Sequence, residues 1–210
     1  VEIKAEELKE YNKKILDNYK TWCAASTHIG EESVIFKTHI EIKKKYENLL
    51  TIIVPRHINR SVDIKNLSEK FNLTSQILND DDLINPNIEI LIINSFGVIT
   101  KYFNYCQNIF IGKSFVKKKQ NVSGQNPIEA AKLGCRIFHG PYVYNFQEVY
   151  DFLGSNSVTE KVNNELELAE KIIKNLEHPK ITNEHQINLL NNYGKKILNE
   201  TTLELYKYLK

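Results

Sequence analysis

Two stretches of this 210-residue chain, Leu49-Leu50-Thr51-Ile52-Ile53-Val54 and Glu89-Ile90-Leu91-Ile92-Ile93-Asn94, are short, almost continuous apolar runs. A strand with one face in water alternates apolar and polar residues. A run that is apolar throughout suits a central strand of a parallel sheet, covered on both faces. Shorter runs of the same kind occur at residues 22–26, 76–78, 108–112 and 136–139. Between them the spacing shifts to the helical period. Residues 31–47 place Val34, Ile35, Thr38, Ile42 and Tyr46 on one face, and residues 62–71 and 99–105 read as further helices. Pro127 suits the first position of a helix over 127–133, and Gly134 its C-cap. Asn145 reads as the cap of a helix running to Leu153. Strand–helix alternation of this kind predicts an α/β, Rossmann-like parallel sheet with helices on both faces.

Two more helices are expected at the end. Residues 159–176 put Val162, Leu166, Ala169, Ile173 and Leu176 on one face, and residues 182–209 carry a stripe of Leu190, Tyr193, Ile197, Thr201 and Leu205. The nearest seam is residues 154–159. It divides the chain into a Rossmann-like domain, 1–158, and a C-terminal helical extension, 159–210. The final stripe is expected either to be partly exposed and open to self-association, or to pack wholly on its own domain. Lys195, Lys196, Lys207 and Lys210 crowd that helix's end, where cations suit the dipole.

Composition excludes several classes. Net charge is +2, from 28 basic and 26 acidic residues, too balanced for a nucleic-acid binder. The three cysteines, Cys23, Cys106 and Cys135, are widely spaced and form no CxxC, which argues against a disulfide framework and fits a reducing cytoplasm. No run approaches the ~18 apolar residues of a membrane span. Residues 1–16 read as a charged amphipathic helix and not a signal peptide. The chain starts at Val1 and lacks methionine, which suggests a piece of a longer protein.

In an open parallel sheet, ligands bind beyond the carboxyl ends of the strands. The residues that follow each strand here are polar or glycine. They are 26–32 (STHIGEE), 55–60 (PRHINR), 95–97 (SFG), Lys113-Ser114, 123–129 (SGQNPIE) and 140–146 (GPYVYNF). Arg56 suits a phosphate or a sugar carboxylate, read otherwise as a surface arginine. Asn126 to Glu129 opens a helix, whose free amides favour an anion, and Gly124 would let backbone approach a phosphate. Glu129 could accept hydrogen bonds from ribose hydroxyls, or merely suit the helix dipole. His28 and His57 are candidate contacts or simple turn hydrogen-bonders. His28, Glu31 and His39 match no standard metal spacing, so no metal is expected.

These residues, in order, carry a resemblance. Ala24-Ala25-Ser26-Thr27-His28-x-Gly30-Glu31-Glu32, Pro55-Arg56-His57, Gly112-x-Ser114, Gly124-x-Asn126-Pro127-x-Glu129-x-Ala131 and Gly140-Pro141-x-x-x-Asn145-Phe146 resemble the Kdo (3-deoxy-manno-octulosonate) transferase family over about two-thirds of the chain. The resemblance implies one half of a GT-B fold, the C-terminal donor-binding domain. It implies CMP-Kdo as donor substrate, a lipid A precursor as acceptor, and lipopolysaccharide synthesis at the cytoplasmic face of the bacterial inner membrane. It places nucleotide contacts at Pro55 and Arg56, at Phe96, Gly97 and Val98, and at Asn126, Pro127, Ile128 and Glu129. Ser26, His28, His57, Ser114, Gly124 and Gln125 are further candidate donor contacts. The family's general base lies in its other domain, so no catalytic residue is assigned here, and no cofactor beyond the donor is implied. Val98 stands where the family has Glu, Lys113 where it has the second glycine of Gly-Gly-Ser, Gln125 where it has His, and Asn94 where it has Asp. The alternatives are a nucleotide-binding module without catalysis and a GT-B transferase of another nucleotide sugar.

Overall fold

The computed structural model describes residues 8–116, 123–177 and 184–208. Seven strands form one sheet in the order β3-β4-β2-β1-β5-β6-β7: β1 (Lys20–Thr27), β2 (Leu49–Pro55), β3 (Ser75–Leu78), β4 (Ile90–Ile93), β5 (Asn108–Ile111), β6 (Arg136–His139) and β7 (Thr159–Lys161). Every pairing is parallel. After β1 the chain lays down β2, goes out to the edge strand β3 and comes back to insert β4 between them, then crosses to the other side of β1 for β5, β6 and β7. That reversal beside β1 opens a crevice at the strand ends.

The apolar runs are apolar because both sheet faces are covered. Cys23, Ala25, Leu50, Ile52, Leu91 and Ile109 point into one core. Trp22, Ala24, Ile53, Ile90, Ile92 and Phe110 point into the other. On the first face lie α1 (Glu10–Leu16), α4 (Ile99–Phe103), α5 (Ile128–Lys132) and α6 (Gln147–Ser155), through Leu16, Tyr102, Phe103, Ala130, Ala131 and Leu153. On the second lie α2 (Glu31–Lys43), α3 (Ser61–Lys70) and α7 (Glu165–Glu177), through Ile35, Phe36, Ile64, Leu168 and Ile172. The three cysteines are buried thiols. Burial pushes Cys106 up to about 12, so it is held in the inert thiol form.

Several expectations need correction. The helix over 31–47 ends at Lys43. Pro127 lies just outside its helix, which begins at Ile128. Gly134, at φ 75°, closes that helix as expected: its N–H reaches Ala131 O and that of Cys135 reaches Ala130 O, the paired bonds of a Schellman end. Asn145 is not a helix cap. A 3-10 turn over Tyr144–Phe146 intervenes, α6 starts at Gln147, and Asn145 donates its backbone N–H to Ser123 O.

Residues 159–176 are not one helix. Thr159–Lys161 pair with β6 as the seventh strand, and only then does α7 begin. The 154–159 seam is therefore a turn into the sheet. The buried face of α7 is Leu168, Ala169 and Ile172, while Leu166 is exposed. The helix packs on α2, where Thr38 donates to Glu165 O at 3.3 Å.

The last helix, α8 (Glu184–Tyr208), divides along its length. At its start Gln186 donates to Ala131 O and Cys135 O, Leu190 is buried, and Tyr193 stacks on Phe152 with ring centroids 3.9 Å apart. Beyond that, Ile197, Leu198, Leu203 and Leu205 are exposed. Part of the stripe is thus exposed, as the first of the two expectations had it. Residues 182–183, Leu209 and Lys210 lie outside the described residues. No described helix is long and apolar enough to cross a membrane.

Candidate functional site

The crevice beside β1 is a cleft of about 300 Å³, the lower end of small-molecule pocket sizes. Its walls come from four loops. Ser26 lies at the end of β1; Pro55 ends β2 and Arg56 follows it; Ser95, Phe96, Gly97 and Val98 follow β4; Gln125 and Asn126 lead into α5, whose first turn carries Glu129. Ile99, Phe103 and Ile111 add apolar floor.

Each wall is set by local geometry. The β1–β2 register shifts between Ala25 and Thr27, so Ser26 is squeezed out of the ladder at φ 55° and turns to the cleft. Pro55 ends β2, and the N–H of Arg56 donates to Thr27 O at 3.1 Å. The Arg56 side chain is exposed on the rim and makes no ion pair among the described residues. Arg60, one turn on, is held by Glu32 at 2.8 Å in a largely buried pair. Of the two arginines, Arg56 is therefore the one available to a ligand. Phe96 is 75% exposed at the loop tip. Val98 packs its side chain into the core below the rim and leaves that wall apolar.

The α5 loop is fastened from three sides. Gly124 donates to Lys113 O at 2.7 Å. The Tyr150 hydroxyl donates to Gln125 O at 2.9 Å, and its ring packs against His139 at 4.4 Å. Asn126 Oδ1 accepts the Ile128 N–H at 3.0 Å. That last contact occupies one of the amides expected to hold an anion. With α5 only five residues long, the cleft offers an anion Arg56 rather than a helix end. Gly124 is needed at φ 91°, since a Cβ there would meet the Val143 backbone at 2.9 Å.

Beneath the loops lies a residue that the sequence reading left without a role. Glu31 is fully buried, and its carboxylate accepts four backbone N–H groups: His28 at 2.9 Å, Lys113 at 2.7 Å, Ser114 at 2.8 Å and Phe115 at 3.0 Å. Burial raises its pKa from the ordinary carboxylate value, opposed by those amide bonds. One carboxylate so ties the β1–α2 loop to the β5 loop. Gly112 allows the close approach, because a Cβ there would stand 2.6 Å from Ser26 O and 2.8 Å from Glu31 Oε2.

Of the sequence candidates, the cleft unites Ser26, Pro55, Arg56, Phe96, Gly97, Val98, Gln125, Asn126 and Glu129. Others fall elsewhere. Ser114 is fully buried: its hydroxyl donates to Ile111 O and accepts the Gly140 N–H, a structural joint. Pro127 and Ile128 lie behind the wall, with Ile128 against the core. His28 and His57 line a neighbouring hollow. His39 is buried, with its Nδ1 2.8 Å from the Thr51 hydroxyl. Among the described residues no three metal-binding side chains converge. Asn94 holds Ser61 and Asn79 rather than facing the cleft. Sequence reasoning placed Ser95 in a ligand loop without naming it a contact, and missed Tyr150 as the anchor of Gln125.

No protein-family model matches the chain. Several curated relatives do, two of them as follows. The 3-deoxy-D-manno-octulosonic acid transferase of Haemophilus influenzae is 30% identical over 190 residues, 90% of this chain and 42% of that protein. Its namesake in Aquifex aeolicus is 28% identical over 149 residues, 71% of this chain and 40% of that protein. The chain is a homologue of the 3-deoxy-D-manno-octulosonic acid transferases. It spans about two-fifths of their length, 42% and 40%. The C-terminal CMP-Kdo binding domain of WaaA from Acinetobacter baumannii has the same fold, at TM-score 0.74 and 21% identity, over 87% of this chain and 93% of that one. The C-terminal domain of the glycosyl transferase LpcC from Francisella tularensis matches at TM-score 0.54 and 11% identity, over 90% of this chain and 94% of that one. The sheet is thus one Rossmann-like half of a GT-B fold.

Proposed function

We propose that this chain is the donor-binding half of a Kdo transferase and holds CMP-Kdo in the cleft beside β1. The observation that carries the reading is convergence. Arg56, Phe96-Gly97 and Asn126/Glu129 come from three loops far apart in sequence, match three stretches of the family's nucleotide site, and line one cleft. Its chemistry fits a nucleotide: an exposed guanidinium for phosphate, a carboxylate for ribose hydroxyls, and an exposed aromatic ring at the rim.

In the complete protein, a carboxylate of the other half would act as general base on an acceptor hydroxyl of a lipid A precursor. The acceptor oxygen attacks the anomeric carbon of Kdo, the bond from that carbon to the phosphate oxygen breaks, and CMP leaves with the electron pair, inverting the centre. Arg56 stabilises the charge that builds on the departing phosphate. Such a protein works at the cytoplasmic face of the inner membrane, where its acceptor lies. This half supplies no base and is expected to transfer no sugar alone.

Calorimetry of the chain with CMP, UMP and AMP tests the reading. Selective binding of CMP supports it. Equal affinity for UMP, or sugar transfer by this chain alone, would sink it.

A further inference from the structure

Behind the rim of the cleft lies a second hollow, of about 190 Å³, lined by His28, Ile29, His57, Arg60, Lys113 and Val116. It shares two loops with the cleft. His57 follows Arg56 in the chain, and His28 stands two residues after Ser26, so one ridge separates the two spaces. The imidazoles of His28 and His57 meet edge to face, 5.9 Å apart. His28 Nδ1 is tied to Ser26 O at 3.0 Å, which couples one wall of the hollow to one wall of the cleft.

The charges nearby are unequally spent. Arg60 is matched by Glu32 at 2.8 Å. The charge of Glu31 is taken up by four backbone amides. The Lys113 ammonium pairs with no carboxylate among the described residues. Its backbone is also unusual: Lys113 sits at φ 59°, where a side chain is strained and glycine is at ease. A lysine standing where glycine would be easier, lining a hollow without a counter-charge, suits a bound anion. The exposed side chains of Ile29 and Val116 add apolar wall, which suits an acid carrying carbon rather than a bare phosphate.

We propose that Lys113, with His28 and His57, forms an anion subsite next to the nucleotide cleft that takes the carboxylate of the donor's sugar acid. The proposal rests on the reading of the cleft as a nucleotide-sugar site. With the phosphate at Arg56, the sugar crosses the Ser26–Arg56 ridge and its acid group meets Lys113. A neutral hexose on the same nucleotide would leave that cation unanswered, so the subsite selects sugar acids.

The test is a titration followed by the ring C–H signals of His28 and His57 in NMR, with and without saturating CMP. The probes are 3-deoxy-D-manno-octulosonate, its uncharged methyl ester, and inorganic phosphate. The octulosonate should shift both histidines, and the ester and phosphate should not. Lys113→Gly removes the cation and suits the backbone; it should weaken octulosonate binding about tenfold and leave CMP affinity unchanged. Lys113→Arg should restore binding. Equal shifts from the ester, tighter binding of phosphate, or full octulosonate affinity in Lys113→Gly would each overturn the subsite. CMP failing to bind while octulosonate still shifts the histidines would refute the reading of the cleft and leave the anion site standing. CMP binding with silent histidines would do the reverse.

Discussion

Replacing Glu31 with glutamine changes one oxygen of a buried carboxylate into an NH2 group and nothing else. Oε1 accepts from Ser114 and Phe115, and Oε2 from His28 and Lys113. Whichever way the amide turns, two backbone N–H groups then face a donor. A buried donor left unsatisfied costs about 1–3 kcal/mol, so the pair amounts to roughly 2–6 kcal/mol. The other two bonds lose their charge assistance, a further ~1 kcal/mol. Against this, glutamine removes a charge whose burial is itself unfavourable, as the raised pKa of Glu31 indicates. A net loss of about 2–4 kcal/mol is expected, a large part of an ordinary domain's stability of about 5–15 kcal/mol. Urea unfolding followed by circular dichroism measures it, and calorimetry with CMP follows the cleft. Glu31→Gln should unfold at lower urea and bind CMP more weakly, because Ser26 rests on the same joint. A variant within about 0.5 kcal/mol of wild type, the range of a neutral surface change, would show that the four amides do not depend on the carboxylate.

Arg56→Ala and Glu129→Ala should each weaken CMP binding by about 1–3 kcal/mol, the value of a charge-assisted hydrogen bond, with Arg56→Ala losing more at low salt. Unchanged affinity in both, with the fold intact, would make them surface charges. His39 is buried with its pKa lowered from 6.5 to about 4, chiefly by burial; its Nε2 has no hydrogen-bond partner among the described residues and stands 3.8 Å from Glu89. The unfolded chain takes up that proton first, so His39's contribution is intact above pH 6.5 and is lost as pH falls toward 4. Stability should drop by about 3 kcal/mol over that window, and His39→Gln should flatten the slope; an unchanged slope would refute it. Leu190→Ala should cost about 2–5 kcal/mol as a core truncation, and Leu205→Ala within about 0.5 kcal/mol as a surface one. Equal losses in thermal unfolding would mean that α8 is buried along its whole length.

Most of the sheet was legible because burial on two faces leaves a signature that one sequence can carry. Leu49–Pro55 and Ile90–Ile93 are apolar at every position but Thr51 and Pro55. The edge strand Thr159–Lys161 left no such mark: Glu160 and Lys161 are exposed, and only pairing with β6 makes the segment a strand. That miss displaced the next helix. Val162 lies in the core but before α7, and counting it as helical rotated the expected face onto Leu166 and away from Leu168 and Ile172. Asn145 looked like a cap, but whether its neighbours enter an α-helix or a 3-10 turn depends on Ser123, 22 residues earlier by number, which takes its N–H. The cleft was legible as a set of loops, since polar residues after apolar strands mark the carboxyl edge. Which residues face inward was not. Ser114 and Glu31 are motif residues consumed by the scaffold. The donors to Glu31 include three amides 82–84 residues away, a relation that no local pattern carries.

A crystal of this chain grown with CMP would test the central claim most directly. The account predicts the nucleotide in the cleft beside β1, its phosphate within hydrogen-bond reach of the Arg56 guanidinium and its ribose hydroxyls at the Glu129 carboxylate. CMP found away from that cleft, or in it with Arg56 and Glu129 both untouched, would contradict the account.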